Sequence, residues 1–164
     1  MIELVRPRRL FAATFVCSGA VFGVAILAGN GRAQASAPVT YRCSAPDKQF
    51  IATVSSNLTQ LNYWSDALVS HDVEPDVVVK QARDEAGQVA ATQPQDRTLH
   101  ATRDLLNSMF LEYSKAVAGT ANGHGGHAHM QNAWRLAHSV HDLLAGAKAG
   151  LGQEGCDVAP LLDS

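Results

Sequence analysis

The stretch LHATRDLLNSMFLEYSKAV, residues 99–117, decides the fold class of this chain. Its apolar residues recur every three or four positions, which is the spacing of one face of an α-helix. They form the broadest apolar stripe in the sequence: Leu99, Leu106, Met109, Phe110, Tyr113 and Val117. The stripe predicts an amphipathic helix from about Gln95 to Ala118 that packs this face into a core.

Two segments before this stretch show the same period. The first is expected to run from about Ala45 to Ser70, because Ser44 can cap it and Pro46 suits its first turn. The second begins at Pro75 and carries a thin, alanine-rich apolar face. Proline is excluded from helix interiors, so this helix is expected to end near Pro94.

A fourth helix is expected after the stretch, from about His127 to Lys148. Glycine-rich segments stand on both sides of it. The segment GTANGHGG, residues 119–126, is interpreted as a loop, and AGLGQEG, residues 149–155, is expected to stop the helix. The sequence therefore predicts an all-α domain with four main helices.

Short connections force consecutive helices to run antiparallel, so we expect a small up-down-up-down four-helix bundle. In that topology the start of the first helix and the end of the fourth lie at the same end. Cys43 and Cys156 stand next to these two positions. We therefore predict one disulfide that ties the N- and C-terminal ends of the bundle together.

The first 35 residues have the pattern of a signal peptide. Arginines at positions 6, 8 and 9 precede an apolar run at residues 10–28, and Ala33 and Ala35 suit a cleavage site after residue 35. Two domains follow from this, a signal at 1–35 and a helical bundle domain at 36–164. The apolar run is nearly long enough for an uncleaved membrane anchor, and both Sec and twin-arginine export remain open. Either route predicts a secreted protein or one of a bacterial envelope, which meets the membrane only through this N-terminal segment.

The charge of the bundle domain argues against nucleic acid as a partner. From Ser36 onward there are nine Lys and Arg residues against fourteen Asp and Glu residues, a net charge of about −5. No basic stripe interrupts this excess of negative charge. The expected partners are instead a metal ion, a small ligand or another envelope protein.

Histidines supply the main indication of function, since five of the seven lie between residues 124 and 141. The bundle topology places His71 at the same end as His124, His127 and His129, together with carboxylates of the connection that follows His71. Imidazole and carboxylate are ligand types that suit zinc, copper(II) and nickel. We therefore predict a transition metal site at His71, His124, His127 and His129. The alternative is a solvated, flexible loop.

A second group of residues predicts a cofactor site on the helices. His138 and His141 share one side of the fourth helix with Trp134, beside its apolar face. Tyr113 and Met109 of the third helix are expected to face the same groove. These four residues, His138, His141, Tyr113 and Met109, are the types that ligate haem iron, so haem is the second ligand that we consider.

Motifs of known enzymes are mostly missing. The sequence has no HExxH, no ExxH, no CxxCH, no GxSxG and no phosphate-binding glycine loop. We therefore expect a binding protein rather than an enzyme; the alternative is a hydrolytic site in which an open metal position activates water. The alternative function is an accessory protein of the cell envelope that docks on a partner and uses none of its histidines.

Overall fold

Four long helices pack together in the computed structural model, which describes residues 39–163. They are α1 (Ala45–Val69), α2 (Pro75–Ala91), α3 (Arg97–Ala121) and α4 (His127–Gln153), and a single turn, α5 (Ala159–Leu162), follows them. No strand occurs between residues 39 and 163. The prediction of an all-helical fold with four packed helices is confirmed. The predicted signal at residues 1–35 lies outside the described residues.

Consecutive helices are in contact, and five-residue connections join them. α2 packs against both α1 and α3, α3 packs against α4, and α5 touches both α1 and α4. All four long helices contribute large buried apolar side chains: Phe50, Val54, Val78, Val89, Leu99, Leu106, Phe110, Leu144 and Leu151. Among the helices of residues 39–163, none is both long and apolar enough to cross a membrane.

The loop before α4 is shorter than the predicted loop at residues 119–126. α3 continues to Ala121, so residues 119–121 are helical and only 122–126 form the turn. Close packing explains this, because a Cβ on Gly126 would lie 2.0 Å from the carbonyl oxygen of Ala116. Glycine is therefore used here to bring the start of α4 against the end of α3, and the left-handed turn residues are Gly123 and Gly125.

The fourth helix ends within AGLGQEG, as predicted, but five residues later than Lys148, since α4 continues to Gln153. Burial of Leu151 in the core favours the extra turn. Gly150 permits it, because a Cβ at this position would lie 2.1 Å from the ring of Tyr41. Glu154 is the C-cap, and Gly155 follows it with a φ of 87°, the left-handed conformation common after helix ends.

The predicted disulfide is confirmed. Cys43 and Cys156 are bonded with their Cα atoms 5.5 Å apart, across 113 residues of sequence. Cys43 directly precedes Ser44, the N-cap of α1, and Cys156 follows α4. The bond therefore joins the chain at the beginning of the first helix to the chain just after the fourth.

Beside the disulfide lies a buried hydrogen-bond network that the sequence did not reveal. The carboxylate of Asp47 accepts hydrogen bonds from the backbone N–H groups of Gln95 and Asp96, at 2.6 and 2.9 Å. Its other oxygen accepts from the N–H and the hydroxyl of Ser44. Asp47 is completely buried, so this one side chain fixes the start of α1 against the connection between α2 and α3.

Asp96 continues the network at the start of α3. One of its oxygens accepts from the N–H groups of Thr98 and Leu99, which caps α3. Its other oxygen accepts from the N–H of Arg42 at 3.1 Å, in the extended segment before α1. Two buried carboxylates and a disulfide thus hold together the chain before α1, the α2–α3 connection and the end of α4.

Candidate functional site

An apolar groove of about 320 Å³ opens beside α4 and is the best-formed candidate site among the described residues. Its buried lining residues include Leu106 and Met109 of α3 and Val140 of α4. Leu58 of α1 and Leu161 and Leu162 of α5 also line it. Small-molecule sites are typically apolar clefts of about 300 to 1,000 Å³ with a few polar groups, so the groove has the usual composition and a modest size.

The polar and aromatic groups of the groove all come from α4. Trp134, His138 and His141 line it together. The imidazole of His138 meets the indole of Trp134 edge to face, with ring centroids 4.0 Å apart. Trp134 is 65% exposed, which is an unusually large exposed fraction for a bulky aromatic side chain.

The predicted cofactor residues are brought together in part. His138, His141 and Met109 all line the groove. Tyr113 is not among its lining residues, and its hydroxyl lies 2.7 Å from the hydroxyl of Ser65 in α1. Tyr113 therefore connects α3 to α1, while the other three residues face the groove.

The predicted metal residues have other partners. His124 places Nδ1 2.6 Å from the carbonyl oxygen of Asn122, and His127 places Nε2 2.9 Å from the amide nitrogen of Gln131. His129 places Nδ1 2.8 Å from a carboxylate oxygen of Glu112. Within residues 39–163, no group of three or more His, Cys, Asp or Glu side chains is arranged to hold a metal ion.

His71 has a backbone role. It follows the C-cap of α1 with a φ of 61°, the left-handed conformation that glycine usually supplies after a helix. Its N–H donates to the carbonyl of Leu68 at 3.1 Å. The residue therefore ends α1 at a position where a side chain is strained.

Glu112 is the centre of a polar cluster between α3 and α4. Its carboxylate accepts hydrogen bonds from Lys115 at 2.6 Å and from Asn132 at 3.2 Å, in addition to its contact with His129. Hydrogen bonds from Lys115, His129 and Asn132 lower the pKa of Glu112 from 4.5 to about 2. The carboxylate is thus ionised at any physiological pH and orients the imidazole of His129.

Glu85 of α2 is a buried acid that was not predicted from the sequence. Its side chain is completely buried, and no donor of the described residues reaches its Oε2. Oε1 accepts from Gln81 at 3.1 Å, and Gln81 also donates to Gln60 of α1. Burial raises the pKa of Glu85 to about 6, against the hydrogen bond from Gln81 and with the charge of Asp84 adding to the rise. In the sequence, Glu85 lies three residues after Ala82 and four before Val89, so its helical spacing places it on the apolar face of α2. This spacing could have indicated that it is buried.

This buried acid makes the stability depend on pH in a predictable direction. The pKa of Glu85 is about 6 in the folded protein and 4.5 ordinarily, so the folded state binds the proton more tightly and stability falls as pH rises from about 4.5 to above 6. Replacing Glu85 with Gln removes this fall. The difference in unfolding free energy between E85Q and the wild type is expected to grow by about 2 kcal/mol, in favour of E85Q, from pH 4 to pH 7.5.

Urea unfolding followed by circular dichroism at both pH values measures that difference. Asp84→Asn is the matched control, because it removes an exposed carboxylate one residue away. This variant keeps the buried acid and loses only the charge of Asp84, which is a lesser cause of the raised pKa of Glu85 than burial. It should therefore change the stability by only a fraction of the E85Q effect. A difference between E85Q and the wild type that is constant with pH would contradict the buried position of this acid.

Comparison with protein-family models, with curated proteins and with solved structures finds no match to this chain. The function has to be argued from the site itself.

Proposed function

We propose that this chain is an exported binding protein that holds a flat, mostly apolar ligand in the groove beside α4, with haem as the best candidate. The observation that carries the proposal is the joint placement of His138, His141 and Met109 in one apolar groove. Imidazole and thioether are haem ligands, and the exposed indole of Trp134 offers a surface for a planar ring. The groove is open and modest in size, so it suits one edge of a ring and leaves the opposite edge in solvent.

Export and antiparallel topology belong to the same proposal. The disulfide between Cys43 and Cys156 supports an oxidising compartment. The five-residue connections, together with the disulfide that joins the start of α1 to the chain after α4, support an up-down-up-down order of the helices. We infer that the signal at residues 1–35 directs the bundle to the envelope or the medium.

Haemin titration of the purified protein, followed by absorbance and by quenching of tryptophan fluorescence, tests the proposal. His138→Ala and Trp134→Ala are each expected to weaken binding about tenfold or more, because each removes a direct contact of the ligand. Both side chains are exposed, so neither change should unfold the bundle. His100→Ala, an exposed histidine on α3 outside the groove, is the matched control and should bind like the wild type.

Non-saturable absorbance changes, or equal affinity of the His138, Trp134 and His100 variants, would contradict the groove as the haem site.

Transition metal binding at the α3–α4 turn is the second candidate function. Histidines that ligate a metal usually donate the hydrogen of their other ring nitrogen to a carbonyl or carboxylate. His124 and His129 both have this arrangement, with Nδ1 against an oxygen of Asn122 and of Glu112, and it leaves Nε2 of each ring available. The predicted set of His71, His124, His127 and His129 then reduces to two oriented imidazoles, with water as further ligands.

Calorimetric titration with zinc, copper(II) and nickel tests this second candidate. The double variant H124A/H129A is expected to lose the saturable heat of binding, whereas H138A is expected to keep it, because His138 lies in the groove and not at the turn. Unchanged binding in H124A/H129A would remove the turn as a metal site.

Docking of an envelope partner is the third proposal. Val78, Ala82, Ala86 and Val89 of α2 are buried in the bundle, Val79 is partly buried and Val77 is exposed. We infer that a partner would use a surface other than the apolar face of α2.

A further inference from the structure

The contact between α1 and α2 depends on polar side chains at its centre. Asn57, which is buried, donates from its side chain to the main-chain oxygen of Glu85 at 3.3 Å. The amide of Gln81 bridges Glu85 and Gln60 with two bonds of 3.1 Å. Three amide side chains and one carboxyl therefore form polar contacts between these two helices, in addition to the apolar core to which both helices contribute.

The carboxyl of Glu85 is the group of this cluster whose hydrogen bonding is incomplete. Its Oε2 is buried and no donor of the described residues reaches it. A buried carboxylate without a second partner is costly, whereas the protonated acid is neutral and tolerates the same position at much lower cost. Burial raises the pKa of Glu85 to about 6, so the group changes its charge within the range of pH met outside a cell.

The same stretch of α1 also forms a wall of the groove. Leu58, the residue after Asn57, lines the groove beside α4. One turn of α1 therefore bonds the main chain of Glu85 through Asn57 and lines the groove through Leu58. The carboxyl of Glu85 is linked to α1 through Gln81, which donates both to this carboxyl and to Gln60.

We propose that Glu85 makes the contact between α1 and α2 sensitive to protons, so that loss of its proton loosens α1 and widens the groove at Leu58. The exchange behaviour of α1 does not depend on what the groove binds. The consequence for ligand affinity rests on the function proposed above.

The charges around Glu85 do not offset this effect. On its own helix, Asp84 is paired with Lys80 at 2.6 Å and acts to raise the pKa of Glu85. On α1, the acids Asp47 and Asp66 stand ten and nine residues from Asn57, roughly 15 Å along the helix.

On α3, which packs along α2, the buried polar residues are Thr102 and Ser114, and both are uncharged. Arg103 of α3 reaches α2 at the carbonyl of Thr92, seven residues beyond Glu85, and its side chain pairs with Asp104. Among the described residues that bond Glu85 or form the buried face of α3, none is a cation that could neutralise the buried carboxylate.

Backbone hydrogen exchange measured by mass spectrometry at pH 5 and pH 7.5, corrected for the intrinsic exchange rate, tests the proposal. In the wild type, protection of α1 amides relative to those of α3 is expected to fall by about tenfold at the higher pH. In E85Q, which stays neutral, the relative protection should be the same at both pH values. Circular dichroism at each pH checks that both proteins are folded.

Asp84→Asn provides a second, graded test with the acid still in place. Removing the neighbouring negative charge is expected to lower the pKa of Glu85, so the loss of α1 protection should begin at a lower pH than in the wild type. Equal α1 protection at both pH values in the wild type, or the same loss in E85Q, would overturn the proposal.

Haemin titration at the same two pH values separates this proposal from the function proposed for the groove. If both hold, the pH dependence of haemin affinity differs between the wild type and E85Q, because the histidine ligands are present in both proteins and the buried acid only in the wild type. If α1 exchange depends on pH through Glu85 while haemin does not bind, the proton-sensitive contact stands and the groove function fails. If haemin binds but α1 exchange is independent of pH, the groove function stands and the proton-sensitive contact fails.

Discussion

Replacing Cys43 and Cys156 together with alanine is expected to lower the free energy of unfolding by about 2 to 5 kcal/mol. The bond closes a loop across 113 residues, so its removal greatly increases the freedom of the unfolded chain. The loss should be felt first at the end of the bundle where Cys43 adjoins α1 and where Asp47 and Asp96 make their hydrogen bonds. A domain of this size has a total stability of a similar order, so the variant is expected to be marginal at 37 °C.

Thermal and urea unfolding of the wild type, oxidised and reduced, and of the double alanine variant measures this effect. The reduced wild type is the matched control, because it keeps both side chains while losing the bond. It should unfold at nearly the same urea concentration as the alanine variant. A midpoint that does not change on reduction would mean that the bundle holds its ends together without the disulfide.

Asp47→Asn is expected to destabilise the protein by about 3 kcal/mol, the largest effect expected here of a single substitution. The buried carboxylate accepts four hydrogen bonds, from Ser44, Gln95 and Asp96. The amide of asparagine presents hydrogens to part of this set of donors, which leaves buried N–H groups without acceptors. Bonds to a charged group are stronger than neutral ones, so the loss exceeds that of an ordinary hydrogen bond.

The chain contains its own control for this change. α2 also begins with Pro-Asp, and its Asp76 is exposed, so Asp76→Asn should change the stability by less than about 0.5 kcal/mol. The pH provides a second check. Burial alone would raise the pKa of Asp47, but its hydrogen bonds with Ser44, Asp96 and Gln95 together lower it.

Because the pKa of Asp47 is lowered on folding, its contribution is present above about pH 4 and is lost as pH falls through the folded value. The penalty of D47N should therefore shrink in acid. Equal penalties for the Asp47 and Asp76 variants at neutral pH would show that the α2–α3 connection does not rest on Asp47.

The helices were predictable because their apolar residues recur with the period of a helix. Phe50, Leu99 and Leu144 all fall on stripes visible in the sequence and are all buried. The disulfide followed from helix order and needed no side-chain detail. The last residues of α3 and α4 could not be predicted from the sequence. Gly126 and Gly150 allow close contacts with Ala116 and Tyr41, and these contacts leave no pattern in the local sequence.

The buried polar residues were the harder part of the fold. Asp47 looks like an ordinary first-turn acid in the sequence, and only the folded chain brings Gln95 and Asp96 to it. Glu85 stands at a position of α2 that the helical period places between Ala82 and Val89, yet composition alone treats a glutamate as exposed. Long-range hydrogen bonds of this kind leave no local pattern.

The candidate site was predicted in part for the same reason. Spacing along one helix placed His138 and His141 on the side of α4 that lines the groove. Whether loop histidines converge depends on side-chain directions, and the contacts of His124, His127 and His129 lead to three different partners. α5, which closes the groove with Leu161 and Leu162, is a single turn too short to leave a periodic signal.

NMR of the histidine side chains during haemin titration locates the bound ligand, because the seven imidazoles report on the groove and on the turn in one experiment. We expect the ring resonances of His138 and His141 to shift or broaden first, at substoichiometric haemin, while those of His71, His124, His127 and His129 keep their positions. Perturbation that begins at His124 and His129, or that affects all seven rings alike, would contradict the groove beside α4 as the binding site.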